Sequence, residues 1–187
     1  MIHLRARLLA ALVVFATVVA GGATVVAAQD TVPADAPITV AELAPGVTAE
    51  VFGGSPSARA AGHTLYVARF VFQPGSEIFP HGHPGTTLLG VESGTFGWTL
   101  VTGTAHVIRG SAAGATGPVE DLTEPGTDVI LNPGDTIFYE DDVVHTACGA
   151  GDEPAVIAAT LLLTAGDPLL MTPEQMAGMD MDGTPAP

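Results

Sequence analysis

Short runs in which apolar and polar residues alternate, separated by turns that contain glycine or proline, fill most of the chain beyond residue 47. A period of two is typical of a β-strand with one buried face, and β-branched and aromatic residues favour the same structure. The strands predicted in this way are 48–52, 63–73, 76–83, 86–91, 95–101, 104–109, 128–131, 136–140, 144–148 and 155–164. The pattern therefore predicts an all-β domain.

The segments between these strands give weaker signals. Thr102-Gly103 is typical of a tight hairpin turn, and residues 149–154 are predicted to join the last two strands as a second hairpin. The glycine-rich, acidic stretch 110–127 is predicted to be a surface loop. Thr172 followed by Pro173 and Gln175 combines an N-cap, a proline in the first helical turn and a capping-box residue. One short helix is expected there.

The first 28 residues are set apart from the fold. Arg5 and Arg7 precede an uncharged apolar run that ends in small residues before Gln29. This arrangement is typical of a secretory signal peptide, which predicts a secreted or extracytoplasmic protein. The apolar run is also long enough to span a bilayer, so an uncleaved membrane anchor is the alternative. The domain organisation predicted is a linker at 29–40, one domain at 41–166 and a mostly disordered Met/Asp/Pro tail at 167–187.

The charge balance excludes one class of partner. The chain has 20 acidic and 5 basic residues, with a formal net charge of −15. All of the acidic residues lie beyond residue 28, so the main part of the protein is strongly acidic. Such a surface repels the phosphates of nucleic acids and favours solubility. We therefore expect no nucleic-acid partner.

The histidines carry the most specific chemical signal. His81 and His83 are two positions apart in a predicted strand, so both rings should project from the same face. They can then offer two imidazoles to one metal ion, and His145 is the candidate for the third ligand. Three neutral imidazoles suit zinc, and imidazole also suits iron, copper and nickel.

The residues around these histidines resemble the two motifs of the cupin superfamily. The first motif runs from Pro74-Gly75 through His81-Gly82-His83-Pro84 to Gly94. The second begins at Gly134-Asp135 and places His145 eleven residues after the glycine. This resemblance, which covers about residues 74–148, implies a single small antiparallel β-barrel of the double-stranded β-helix or jelly-roll type. It implies the metal ligands His81, His83 and His145, with Fe, Zn, Mn, Cu or Ni as the divalent ion.

The chain departs from the family where a fourth ligand is expected. The family commonly has a glutamate four residues after the second histidine, and Thr87 stands there. Without a carboxylate the charge of the ion is uncompensated, which favours an anionic substrate or hydroxide in the open position. The alternative is a site that has lost its metal, in which the histidines only form hydrogen bonds inside the barrel.

Two function classes remain open at this level. One is a dioxygenase-like or other metal-dependent enzyme that acts on a small organic molecule, and the other is a non-catalytic module that binds a small ligand or a metal ion. Thr87, Tyr139 and His106 are the further pocket candidates: Thr87 to hydrogen-bond a metal-bound water, Tyr139 as a hydrogen-bond donor to substrate, and His106 as an acid–base group. Pairing of edge strands into a homodimer is common among cupins and is a further expectation.

Overall fold

The computed structural model describes residues 39–110 and 117–178. These residues contain twelve β-strands and one short helix. In chain order the elements are β1 (Thr39–Ala44), β2 (Val47–Pro56), β3 (His63–Phe72), β4 (Glu77–His81), β5 (Gly85–Ser93), β6 (Phe96–Thr102), β7 (Ala105–Ile108), β8 (Val119–Leu122), β9 (Asp128–Leu131), β10 (Thr136–Tyr139), β11 (Val144–Gly149), β12 (Ala155–Thr164) and α1 (Pro173–Ala177). Within these ranges no helix has the length and apolar composition that a membrane crossing needs. The expected signal peptide or anchor at 1–28 and most of the linker lie outside the described residues.

The strands form two antiparallel sheets around one core. The larger sheet has eight strands in the order β1-β2-β3-β12-β5-β10-β7-β8, and the smaller has four in the order β4-β11-β6-β9. Buried side chains from both sheets belong to one hydrophobic cluster, so the sheets face each other. The predicted all-β, antiparallel fold is confirmed. Among the described residues it is built as two facing sheets rather than as one closed ring of paired strands.

β12 shows how the sequence forms the larger sheet. It pairs with β3 on one side and β5 on the other, and every second side chain points into the core. The inward positions are at most 2% exposed: Ala155, Ile157, Ala159, Leu161 and Leu163. Burying a side chain the size of leucine or isoleucine contributes about 1.5–3 kcal/mol. This strand alone therefore supplies a substantial part of the free energy of folding.

Two predicted hairpins are wrong. Thr102-Gly103 joins β6 in the smaller sheet to β7 in the larger one, and residues 150–154 likewise connect β11 with β12 across the two sheets. Gly103 has φ +88°, and a Cβ atom there would lie 2.7 Å from the Asp142 carbonyl oxygen. A short, tight connection can thus carry the chain from one layer to the other as well as back along the same sheet.

Two strands were not predicted. β1 begins at Thr39, at the end of the expected linker, and pairs with β2. β8 lies inside the expected 110–127 loop and pairs with β7 at the edge of the larger sheet, where only Leu122 of its four residues is buried. Because an edge strand with acidic, exposed side chains has the composition of a loop, alternation could not reveal it.

The described residues after β12 pack against the core between the two sheets. We expected residues 167–187 to be mostly disordered; residues 167–178 are described and lie against the body of the domain. Leu169 and Leu170 pack on the hydrophobic core, and Met171 is 7% exposed. The expected short helix is present as α1, with Thr172 as its N-cap and a complete capping box with Gln175. Residues 179–187 lie outside the described part.

Candidate metal centre

The three histidines of the two motifs meet between the sheets. His81 ends β4, and it lies directly opposite His145 in the pairing of β4 with β11. His83 follows in the bend before β5. The ring centroids are 4.3 Å apart for His81 and His145, 5.3 Å for His81 and His83, and 5.6 Å for His83 and His145. One potential ligand atom from each residue lies within 4.8 Å of those of the other two.

The local backbone differs from the single strand that was expected. β4 ends at His81, so His83 lies beyond it rather than on it. The pairing of β4 with β11 contains one extra residue on β4. His81 and Ile78 are three positions apart, whereas their partners His145 and Ala147 are two positions apart. The extra residue places both His81 and Ile78 in the interior and leaves Glu77 exposed. Glu77 therefore does not face the histidines.

Burial keeps all three imidazoles neutral at neutral pH. They are 2–3% exposed. Desolvation lowers the pKa of His81 to about 4, although the hydrogen bond to the Phe79 carbonyl opposes this effect. Desolvation and the charge that His81 would carry lower the pKa of His83 to about 3. Burial and the other two histidines lower the pKa of His145 well below its ordinary value. Neutral imidazole is the form that binds metal ions.

Hydrogen bonds to backbone carbonyls orient two of the rings. Nδ1 of His81 donates to the Phe79 carbonyl oxygen at 2.8 Å, and Nδ1 of His83 donates to the Leu169 carbonyl oxygen at 2.7 Å. A carbonyl oxygen only accepts, so Nδ1 must carry the proton in each ring. The lone pair is then on Nε2, as in a histidine that ligates a metal ion and donates its other N–H to a carbonyl group.

His145 is held by aromatic contacts instead. Its ring stacks on Trp98 with centroids 5.0 Å apart and an interplanar angle of 20°, and Tyr139 lies at 5.0 Å on a tilted plane. Nε2 is 3.5 Å from the Tyr139 hydroxyl oxygen. Nδ1 is buried and has no hydrogen-bond partner among the described residues. An unpaired buried nitrogen costs about 1–3 kcal/mol, and Nδ1 of His145 keeps the capacity to offer a lone pair or a proton.

These donors could hold a metal ion. In residues 39–110 and 117–178 the three histidines are the one group of three or more potential ligand residues close enough to share an ion. The group contains no carboxylate, since Glu77 and Glu92 are exposed and Thr87 stands where the family has glutamate. Three neutral nitrogen ligands with open positions suit zinc and other first-row divalent ions. The identity of the ion does not follow from the ligands alone.

A small apolar cavity adjoins the histidines. Its volume is about 20 Å³, which is room for one or two water molecules. Nine apolar side chains complete the wall: Leu43, Phe70, Phe72, Ile78, Leu89, Phe96, Ala147, Ile157 and Leu170. No charged side chain lines it. Arg69 pairs with Glu92 on the surface, and Arg109 pairs with Glu120 and Asp135.

The three pocket candidates do not line this cavity. Thr87 is fully buried and faces inward, as its strand position indicated, but it lies opposite Tyr139 in the pairing of β5 with β10. Tyr139 is also fully buried, and desolvation raises the pKa of its hydroxyl. The Thr87 hydroxyl itself has no hydrogen bond of good geometry among the described residues. Tyr139 packs against the rings of His83 and His145, and Thr87 is its partner on the neighbouring strand.

The prediction that His106 reaches the pocket is wrong. Its side chain is 42% exposed, and Nδ1 lies 2.7 Å from Oδ1 of Asp121 on the neighbouring strand β8. Its ring stacks on Phe138, which is the outward neighbour of Tyr139 on β10. His106 shares the outer face with Phe138 because its position on β7 has the opposite parity to the inward residues Ala105 and Val107.

The groups that hold the three histidines in place were not predicted from the sequence. Trp98 stacks on His145, and neither motif indicates this contact. The carbonyl groups of Phe79 and Leu169 could not be predicted as hydrogen-bond partners, because every residue has a backbone carbonyl group. Leu43 and Leu170 lie outside the two motifs. Only the apolar character of residues 169 and 170 could have indicated that this region is buried.

The fold and the site together define a class: an antiparallel β-sandwich with three buried histidines between its sheets. No protein-family model and no curated protein sequence matches the chain. Similar solved structures include an RmlC-like cupin from Shewanella frigidimarina, with 16% identity over 67% of this chain and 83% of that one, and a TM-score of 0.35.

Two further solved structures are similar to this chain. Oxalate decarboxylase from Bacillus subtilis is 16% identical over 74% of this chain but only 31% of its own length, with a TM-score of 0.45. Drosophila melanogaster CENP-C bound to CAL1 is 13% identical over 67% of this chain and 79% of that one, with a TM-score of 0.41. These likenesses concern the fold alone.

Proposed function

We propose that the chain is an exported cupin that holds one divalent metal ion through His81, His83 and His145 and acts on a small, uncharged organic molecule. The observation that carries the proposal is the cluster itself: three buried, neutral imidazoles with potential ligand atoms within 4.8 Å of one another, two of them oriented through Nδ1 by backbone carbonyls. When bound, the ion would supply Lewis-acid chemistry and, if redox-active, the activation of oxygen that a dioxygenase-like reaction needs.

The wall of the cavity restricts the ligand. Apolar side chains exclude water and offer no partner to a charged group, and burying an unpaired charge is costly. The missing carboxylate alone favoured an anionic substrate. The apolar wall favours an uncharged ligand. Because the cavity holds only one or two water molecules, it admits one oxygen or sulfur atom near the histidines, and the carbon atoms of a larger molecule pack against residues such as Phe70 and Phe96 only if these side chains move apart.

The competing function is a non-catalytic module that binds a ligand or a metal ion. Apart from the three histidines, no acid–base side chain lines the cavity, and this observation favours the competitor. Oxygen consumption and product formation on a panel of phenols, thiols and diketones separate the two. Turnover that depends on metal and is lost in His81→Ala supports the enzyme. Tight binding by calorimetry without turnover supports the module.

The metal itself is tested by elemental analysis of protein purified without a histidine tag. One equivalent of a divalent ion is expected, or uptake of one equivalent after titration, and His145→Ala should abolish it. His106→Ala is the matched control, because it also removes an imidazole but from the exposed face of β7. No uptake by the wild type, or equal uptake by His145→Ala, would contradict the proposal.

Export rests on the sequence of residues 1–28 and is tested separately. Mass spectrometry of the chain expressed from Met1 in a secreting host should show a mature protein that begins near Gln29 and is recovered outside the cytoplasm. An intact chain that stays with the membrane fraction would favour the anchor. An intact chain in the cytoplasm would contradict both.

A further inference from the structure

The two oriented histidines obtain their hydrogen-bond partners in different ways. His81 donates to the carbonyl of Phe79, two positions away on its own strand. His83 donates to the carbonyl of Leu169, which is 86 positions away and lies after the last strand. The orientation of His81 therefore depends on β4 alone, whereas that of His83 depends on a part of the chain outside both cupin motifs.

Residues 167–178, which we name the C-terminal segment, are attached beside the histidine pair. The backbone of Met171 both donates to and accepts from Gly82, each time at 2.9 Å. Gly82 lies between the two histidines in the sequence, so these bonds fix the segment next to them. Thr164, just before the segment, donates to the Pro84 carbonyl at 2.8 Å.

Side chains add to this attachment. Leu170 forms part of the cavity wall, and Met171 is buried. A Cβ atom placed on Gly82 would lie 2.8 Å from Cε of Met176 and 2.8 Å from the Val143 carbonyl oxygen, so α1 and the loop before β11 both approach this glycine closely. The C-terminal segment thus closes one side of the cavity while its backbone contacts the metal-binding motif.

We propose that the C-terminal segment is a positioning element of the histidine centre: the Leu169 carbonyl holds His83 in the tautomer with the proton on Nδ1, which leaves Nε2 free to bind an ion. The proposal rests on the proposed function only for its effect on metal affinity. The state of the His83 ring is a property of the metal-free protein. Partners of this kind typically change metal affinity 10–100-fold when they are lost.

The test is a pair of full-length variants at Met171. Met171→Pro removes the N–H that donates to Gly82 and should loosen the segment. Met171→Leu is the matched control, because it keeps that N–H and a similar apolar volume. Nitrogen NMR of the imidazole rings in metal-free protein reports the tautomer of each histidine. His81 serves as an internal reference, since its partner Phe79 is local.

In wild type and Met171→Leu, both His81 and His83 should carry the proton on Nδ1. In Met171→Pro, His83 should lose this preference while His81 keeps it, and affinity for Co²⁺ should fall about tenfold or more. An unchanged His83 tautomer in Met171→Pro would overturn the proposal. So would an equal change at His81, because that result would mean a general loss of structure.

A second variant covers the case in which Met171→Pro does not fold. The double substitution Leu169→Gly with Leu170→Gly keeps every backbone group but removes the apolar side chains that pack the segment on the core. The same selective change at His83 is expected, and its absence would overturn the proposal. If the wild type binds no Co²⁺, the proposed metal function fails, while the comparison of tautomers still decides the role of the segment.

Discussion

Acidification should destabilise the metal-free protein strongly between pH 7 and pH 5, because the three histidines are buried in their neutral form. Their pKa values are lowered in the folded chain, so the unfolded chain binds more protons once the pH falls below the ordinary value of 6.5. Stability therefore increases with pH. The contribution of the neutral histidines to stability is fully present above pH 6.5. It is lost as the pH falls toward about 4 for His81 and about 3 for His83.

The size of the effect follows from these values. At pH 5 an unfolded histidine is almost fully protonated, whereas His81 and His83 in the folded chain are not. Each pKa unit corresponds to about 1.36 kcal/mol, so each of the two costs about 2 kcal/mol relative to high pH. His145 adds a loss of the same sign. A total stability of about 5–15 kcal/mol is typical of a domain, so this loss is a large fraction of it.

The assay is urea unfolding of chelator-treated protein at pH 7 and pH 5. The fluorescence of Trp98, the one tryptophan of the chain, reports unfolding because its ring is buried against His145. His81→Asn removes one titrating group and should reduce the difference between the two pH values by about 2 kcal/mol. Equal free energies of unfolding at pH 7 and pH 5, or an undiminished difference in His81→Asn, would refute the reasoning.

Other side chains near the site give further measurable effects. Thr87→Val should raise the free energy of unfolding in urea by about 1 kcal/mol, because the buried hydroxyl lacks a partner; a loss of stability would mean that the hydroxyl is hydrogen-bonded. Asp135→Asn should cost about 2 kcal/mol in thermal unfolding, since this carboxylate accepts from Arg109 and two backbone N–H groups; an unchanged melting temperature would contradict this role. Ala147→Leu should fill the cavity, so that calorimetry shows metal uptake kept and binding of the organic ligand lost; equal ligand binding would place the ligand elsewhere.

The strands and the three histidines could be predicted because their signals are local. A strand with one buried face alternates along its own sequence, and β9 and β12 were found with their observed bounds. The spacing of His81 and His83 and the turn before β10 likewise lie within single motifs. The turn has its own local chemistry: Gly134 adopts φ +94°, and the Asp135 carboxylate accepts from the Asn132 N–H at 3.0 Å.

The partners of those strands could not be predicted, because pairing depends on residues far apart in the chain. Alternation predicts that β6 and β7 are consecutive strands, but it does not show that they belong to different sheets. The packing of the two apolar faces decides this, so the chain crosses the core at Gly103. β8 was missed for a related reason. The acidic residues Glu120 and Asp121 have the composition of a loop, and their partners, Arg109 just after β7 and His106 on β7, are known only from the tertiary structure.

The sequence by itself therefore determined the fold class and the three imidazoles, since both depend on which side chains follow one another. Only the tertiary structure decided that His106 faces outward, that Tyr139 packs against two of the histidines, and that Trp98 stacks on His145. It also decided that the Leu169 carbonyl reaches His83. A backbone carbonyl is the same in every residue, so its role arises only when folding brings it within hydrogen-bond distance of a ring 86 positions away.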